Sequence, residues 1–344
     1  MTQATPNGDL TMADLARMAG VSESTVSRAL AGSPLVAEKT RLRIVELAKA
    51  ASYTVNESAR NFRQKKARTI EVVIPLESHH RARISDPFFL DLIGALSDAL
   101  PRRRHDMLLS TVPPWSTGER SNPLISGRAD GVVVVGQGRN RSNLRAFARA
   151  NPRVVVWGGQ VDDDYAVVGS DNRLGGRLAT DHLLAIGRRR IAFMGDVALP
   201  EIKLRHDGYV EALVEAGAAA DPALTINAPF DFQDANAFAD RFVAGGARFD
   251  AVVAASDVIA VGAILALRNR GVSVPGDVSI VGYDDIHSAA WYSPPLTTVS
   301  QFIHRGGEAL VDALFDIIDG APPTSRTLRP ELIVRQSCGG AAGR

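Results

Sequence analysis

The stretch AGVSESTVSRALAG, Ala19 to Gly32, gathers four short hydroxyls, Ser22, Ser24, Thr25 and Ser27, with only Glu23 and Arg28 as charges. Helix interiors usually avoid Ser and Thr, because their hydroxyls compete for backbone hydrogen bonds. A helix that carries them together can bring its backbone close to a nucleic acid, donate to phosphate oxygens and reach base edges. Residues for covalent chemistry show no comparable grouping. The seven histidines are scattered, and the adjacent His79 and His80 lack metal-ligand spacing. GQGRN at Gly136 resembles a piece of a dinucleotide fingerprint but lacks the third glycine. No nucleophile stands beside a base in a recognisable constellation. The expectation is a binding protein, not an enzyme, with no metal and no cofactor.

The elements that carry these residues divide the chain by charge. Residues 1–68 hold 11 Lys and Arg against 6 Asp and Glu, a net of +5, and the remainder holds 28 against 32, a net of −4. A basic head on a mildly acidic body points to a polyanion that meets the head alone. Across 344 residues, 45% are hydrophobic and 22% charged, as in a globular protein of two or three compact units. No run of about 18 apolar residues predicts a membrane span, and the N-terminus lacks a basic segment followed by an apolar one, so no signal peptide is expected. The single cysteine, Cys338, leaves no intramolecular disulfide and fits a reducing, cytoplasmic setting.

Three short helices are expected in the head. The first is capped at Thr11, where TMAD reads as a capping box with Asp14, and ends near Gly20. The second is capped at Ser22, and the third covers roughly 37–52 with Ile44, Leu47, Ala48 and Ala51 on one face. From Thr69 the texture changes. TIEVVIP, DMLLST, GVVVVG, RVVVW, RIAFMG, DAVVAA and VSIVGY read as buried strands, with helices between them near 88–100, 174–186, 208–216 and 258–270. Short Val and Ile runs alternating with helices predict an α/β body of two doubly wound parallel-sheet lobes. The default binding site is a cleft beyond the carboxyl ends of the strands. The predicted organisation is 1–55 for the helical head, 56–68 for a polar basic linker with a short helix, and 69–344 for the two-lobed body.

Ala16, Gly20 and Val26 have the spacing of a helix-turn-helix: a small residue at the helix contact, a glycine in the turn and a buried aliphatic on the second helix. That second helix would then enter the major groove. An ordinary three-helix knot with a polar face satisfies the same spacing. The wider stretch TMADLARMAGVSESTVSRALAGSPLVAEKTRLRIVELAKAASYTVNESARN closely resembles the head of the LacI/GalR family of transcriptional regulators. The resemblance continues in order through ISDPFFLDLIGAL, RADGVVVVG, VGSDNRLGGRLATDHLLAIGRRRIAFMGD, RHDGYVEAL, ASDVIAVGAILALRNRGVSVPGDVSIVGYDDI, PPLTTVSQ and PELIVRQS.

The resemblance implies a regulator, usually a repressor, that binds double-stranded operator DNA as a homodimer and answers to a small effector held between its periplasmic-binding-protein-like lobes. By similarity, Thr11, Ser22, Thr25, Ser27 and Arg28 contact DNA, mostly its backbone, while Glu23 and Ser24 stand at the two positions that vary with operator sequence. Glu23 either accepts from a cytosine amino group or turns away as a negative selector. Asn56, Ala59 and Phe62 match the hinge helix. The family's usual minor-groove wedge is Leu or Met; Phe62 replaces it here, and Val55 replaces the usual proline before the hinge. Packing between two hinge helices is the other role open to Phe62.

For the effector, the resemblance points to Phe88 and Phe89 of DPFF, Trp157, Arg205, Phe232 of FDF, Ser256 and Asp284. Aromatic faces with Asp and Arg suit a sugar, with its apolar C–H faces and rim of hydroxyls. Phe89 opposite Phe232 would also suit a purine or nucleoside. A cytoplasmic sugar-binding protein shares the body but not the head. Asp171 and Asn172 are expected to cap a helix, and PPLTT to cross between lobes. The tail QSCGGAAGR has no leucine heptads, so a dimer is expected and not a tetramer.

Overall fold

The computed structural model describes residues 10–51, 53, 67–75, 83–116, 122–139, 141–160, 165–218 and 220–339. Asn56, Ala59 and Phe62 of the expected hinge lie outside the described residues. The chain divides into two compact units, Met1–Ala67 and Arg68–Arg344.

The first unit holds α1 (Met12–Ala19), α2 (Glu23–Leu30) and α3 (Glu38–Ala50). Both halves of the predicted capping box are present: the Thr11 side chain accepts from the Asp14 N–H, and Asp14 accepts from the Thr11 backbone. Gly20 closes α1 at φ 64, a left-handed conformation in which glycine meets no Cβ penalty. Leu15, Ala16, Ala19, Val26, Ala29, Ile44 and Ala48 form one buried cluster, so the small residue and the aliphatic of the predicted spacing do meet.

In the second unit the amino-terminal lobe is built on β1 (Thr69–Val73), β2 (Asp106–Ser110), β3 (Gly131–Val135), β4 (Val154–Trp157), β5 (Ala166–Ser170) and β11 (Arg326–Leu328). The sheet order is β11-β5-β4-β3-β1-β2, parallel throughout. The other lobe uses β6 (Ile191–Met194), β7 (Thr225–Ile226), β8 (Ala251–Ala254), β9 (Ser279–Asp284), β10 (Thr297–Ser300) and β12 (Glu331–Ile333). Their order is β12-β10-β9-β8-β6-β7, with only β12 antiparallel. The helices are α4 (Pro87–Ala99), α5 (Arg141–Ala150), α6 (Asn172–Ala185), α7 (Pro200–Glu215), α8 (Phe232–Ala244), α9 (Asp257–Asn269) and α10 (Ile303–Ile318). The chain crosses between lobes after β5, after β10, where α10 returns to pack in the amino-terminal lobe's core, and between β11 and β12.

Two sequence readings need correction. PPLTT is not a crossover. Thr297 and Thr298 begin β10 inside the second lobe, and the crossover follows at Gln301–Phe302. The helix read at 208–216 begins two turns earlier, at Pro200, the residue best tolerated in a first turn. Gly208 lies inside α7 because the Arg173 carbonyl of α6 occupies the space where a Cβ would sit, and Gly176 of α6 faces the Arg205 carbonyl in the same way. Among the described residues no helix is long and apolar enough to cross a membrane.

The α6–α7 contact therefore depends on two missing methyl groups. Gly176→Ala is expected to force the helices apart and to destabilise the body by ~1–3 kcal/mol, despite alanine's better helix propensity. A lowered melting temperature checks this; an unchanged or raised one would contradict the packing argument.

Candidate functional site

In the head, Ser22 is first of all a cap. Its Oγ accepts from the Thr25 N–H at 3.3 Å and lies 2.9 Å from both Ser24 Oγ and Thr25 Oγ1. Thr11 Oγ1 donates to Asp14 Oδ2 at 2.6 Å. The hydroxyl cluster thus supplies what the helix starts lack, acceptors for orphan N–H groups. Val26 and Ala29 turn inward, while Glu23, Ser24 and Arg28 are exposed and Ser27 is half-buried. Helical i, i+4 spacing places Glu23 with Ser27 and Ser24 with Arg28 on the outward face.

In the body, a cavity of about 180 Å³ opens between the lobes at the carboxyl ends of their strands. Five of the seven expected effector residues line it: Phe88, Phe89, Trp157, Arg205 and Asp284. Phe88 stands edge-on to Phe89 at 5.6 Å and tilted to Trp157 at 6.0 Å. Trp157 is only 5% exposed and packs where α10 has Gly306, so it offers the cavity little of its face.

Phe232 and Ser256 do not line the cavity. Phe232 is the first residue of α8 and is 39% exposed; two residues earlier, Phe230 takes the aromatic place. Ser256 is buried, and its Oγ accepts from the Ile259 N–H as the cap of α9. Asp171 caps α6 as expected, accepting from the Leu174 N–H. Asn172 does something else. Its Nδ2 donates to the Ser170 carbonyl, and its Oδ1 accepts from Arg205 Nε at 2.8 Å.

Arg205 is the polar centre of the floor. It is 5% exposed, bonds to Asn172 and to the Ala255 carbonyl, stacks 3.6 Å over the Tyr283 ring, and lies 3.9 Å from Asp284. Asp284 accepts from Gln301 Nε2 at 2.6 Å, and Gln301 accepts in turn from Ser170 Oγ at 2.7 Å. Burial pushes the Asp284 carboxyl well above its usual range, with Arg205 opposing the shift.

Sequence reasoning missed the other polar lining: Asp86, Gln137, Asp196, Glu201, Asp231 and Gln301. Asp86 and Asp231 belong to the motifs DPFF and FDF, and Gln137 belongs to GQGRN. The aromatics drew the attention that belonged to their acidic neighbours. Asp86 caps α4, accepting from the Phe88 N–H, and Asp231 caps α8. Burial, aided by the negative charge of Asp231, raises Asp86 to about 6, and burial also raises Glu201. Among the described residues no group of His, Cys, Asp and Glu is arranged to hold a metal.

The pH dependence follows from Asp86. Its carboxyl titrates near 6 in the folded chain against 3.8 as a free group, so folding favours its protonated form. The resulting cost to stability is present above about pH 6 and fades as the pH falls towards 4. Asp86→Asn keeps a capping acceptor and removes the charge. The expected result is a melting temperature raised by about 3 °C at pH 8, with the gain gone by pH 4. A gain that did not depend on pH would contradict this account.

Comparison with known proteins matches both units. Residues 11–56 match the model for bacterial regulatory proteins of the lacI family, and residues 180–338 match a periplasmic binding protein-like domain. The Ribose operon repressor of Haemophilus influenzae is 30% identical over 335 residues, spanning 95% of this chain and 98% of that protein. The HTH-type transcriptional repressor PurR of Mannheimia succiniciproducens is 29% identical over 335 residues, with the same coverage. Among solved structures, a transcriptional regulator CelR–cellobiose complex superposes with a TM-score of 0.67 at 28% identity, covering 95% of this chain and 99% of that one. The lac repressor dimer bound to operator superposes with a TM-score of 0.83 at 23% identity, covering 96% and 99%, a likeness of fold. These matches run the length of the chain, through the helix-turn-helix head and the two-lobed body alike: the chain belongs to the LacI family of DNA-binding transcriptional repressors.

Proposed function

We propose that this repressor acts in the cytoplasm as a homodimer whose operator affinity is set by an unphosphorylated sugar bound between its lobes. The observation that carries the sugar is the cavity lining, where Phe88, Phe89 and Phe230 accompany Asp86, Asp231 and Asp284, with Arg205 between acceptors. Aromatic rings pack on sugar C–H faces, and carboxylates accept from hydroxyls. The same carboxylates would repel a phosphate. A relative named for ribose and a structural neighbour holding cellobiose support this reading. The relatives named PurR and the stack of aromatics favour a purine as the second reading.

On the DNA side, Thr11, Ser22, Thr25, Ser27 and Arg28 hold the backbone, and Glu23 and Ser24 face the bases. The exposure of Glu23 and Ser24 in the first turn of α2 supports their place at the bases. The head takes residues 1–55, the hinge 56–68 and the body 69–344, with Asn56, Ala59 and Phe62 meeting the minor groove and Phe62 as the wedge. A second copy would cover apolar surface such as Trp291, 78% exposed, and Leu90, 49% exposed.

Three measurements test these roles. In a thermal-shift panel of D-ribose, cellobiose, their phosphates, guanine and hypoxanthine, a neutral sugar should raise the melting temperature by mass action and change operator retention in a gel shift. A shift with purines alone would replace the sugar. Glu23→Ala and Ser24→Ala should alter base preference in a randomised operator pool, whereas Thr11→Ala should weaken all sequences alike. Phe62→Ala should lower operator affinity at least tenfold and reduce DNA bending; full affinity with unchanged bending would remove the wedge.

A further inference from the structure

The contacts across the cleft are of two opposing kinds. After β3 the loop Gly136–Arg139 of the amino-terminal lobe reaches over the other lobe. The Gln137 N–H donates to Glu201 Oε1 at 3.1 Å, and the Arg139 guanidinium pairs with Asp196, on the segment after β6. Gly136 and Gly138, at φ 88 and φ 65, give the loop a left-handed path that side chains resist. Asp196 is buried, and its other oxygen accepts from the Ala198 N–H at 3.1 Å. This is the GQGR motif noted in the sequence. It fastens one lobe to two carboxylates of the other. Against it stand Asp86 and Asp231, like charges contributed by opposite lobes to the same cavity.

We propose that Arg139 is a positioning residue for effector binding: through Asp196 it holds the lobes together against the repulsion of Asp86 and Asp231, and the effector completes closure by donating hydrogen bonds to that carboxylate pair. The inference rests on reading the cavity as the effector site. The lining carboxylates then fall into two groups. Asp196 and Glu201 are engaged by the opposite lobe, which leaves Asp86, Asp231 and Asp284 to the ligand. Without Arg139, Asp196 would be a buried charge without its cation, and separation of the lobes would return it to water. Neutralising Asp86 would act in the opposite sense and do part of the effector's work.

Hydrogen exchange by mass spectrometry on the full chain tests this without any ligand, because the Gln137 N–H is itself one of the closing bonds. Arg139→Ala should speed exchange in peptides spanning 136–139 at least tenfold, Asp86→Asn should slow it, and Arg139→Lys should return it most of the way. With whichever of D-ribose, cellobiose or guanine shifts the melting temperature, Arg139→Ala should raise the half-saturating concentration about tenfold. Exchange within twofold of the parent in Arg139→Ala would overturn the proposal, as would equal acceleration over the whole body, which marks general loosening. If none of the three compounds binds, the choice of effector fails, while the exchange result still decides the role of Arg139.

Discussion

A guanidinium that has left water organises the cleft. Arg205 needs acceptors on all sides, because a buried cation with an unmet N–H costs more than a marginally stable fold can tolerate. Its partners come from separate elements: Asn172 at the start of α6 and the Ala255 carbonyl after β8 accept its hydrogen bonds, and Asp284 at the end of β9 lies across from it as a counter-charge at 3.9 Å. Tyr283 supplies a ring face below it, and Gly175 leaves room for the Tyr283 hydroxyl. The group that lines the cavity is thus also the group that locates α6 and α7 against the strand ends. Gly176 follows from the same demand, since α6 must approach the Arg205 carbonyl closely for its first residue to reach the side chain.

One cation among five carboxylates gives the cavity its character. Carboxylates can be held in a low-dielectric site in two ways, by cations and hydrogen-bond donors or by protonation. Asp196 takes the first course with the Arg139 guanidinium of the opposite lobe, and Glu201 accepts from the Gln137 N–H there while burial still raises it. Asp86 is drawn towards the second, burial having moved its titration to about 6. Asp257, buried beneath the floor, shows both at once: it accepts from Thr298 Oγ1 at 2.5 Å and the Ile286 N–H at 3.0 Å, yet burial still lifts it to about 7. The sugar reading proposed above follows from this shortage, since a ligand rich in hydroxyls would offer donors where the fold supplies few.

Sequence patterns exposed some parts of this arrangement and hid others for physical reasons. The caps at Thr11, Ser22 and Asp171 were legible, because a cap is a local bond between near neighbours. The buried Val-rich strands were legible because both faces of a parallel sheet are dry. Strand β10 was not, since its Thr297 and Thr298 look polar until their hydroxyls are seen to bond Cys338 Sγ and Asp257. Phe232 and Ser256 failed for a related reason. Each stands at or beside a helix start whose capping demand decides which neighbour faces the cleft, and Asp231 with Phe230 won one place while capping took Ser256 out of the other. Gln137 and Arg139 act across the cleft, so their partners lie about sixty residues away, beyond any local pattern.

The crossover at Gln301 joins the cavity to both lobes. Gln301 leaves β10 in one lobe just before α10 begins in the other, and Phe302 makes the turn at φ 53. Its amide has only two ends: Nε2 donates to Asp284, and Oε1 accepts from Ser170 at the end of β5 in the amino-terminal lobe. A ligand that draws the Asp284 carboxylate into its own hydrogen bonds competes for the Nε2 end, and the amide cannot move that end without moving the one that holds Ser170. One amide thus ties a cavity carboxylate of one lobe to the end of a strand in the other, so the geometry of that carboxylate and the seating of the two lobes are fixed by the same side chain.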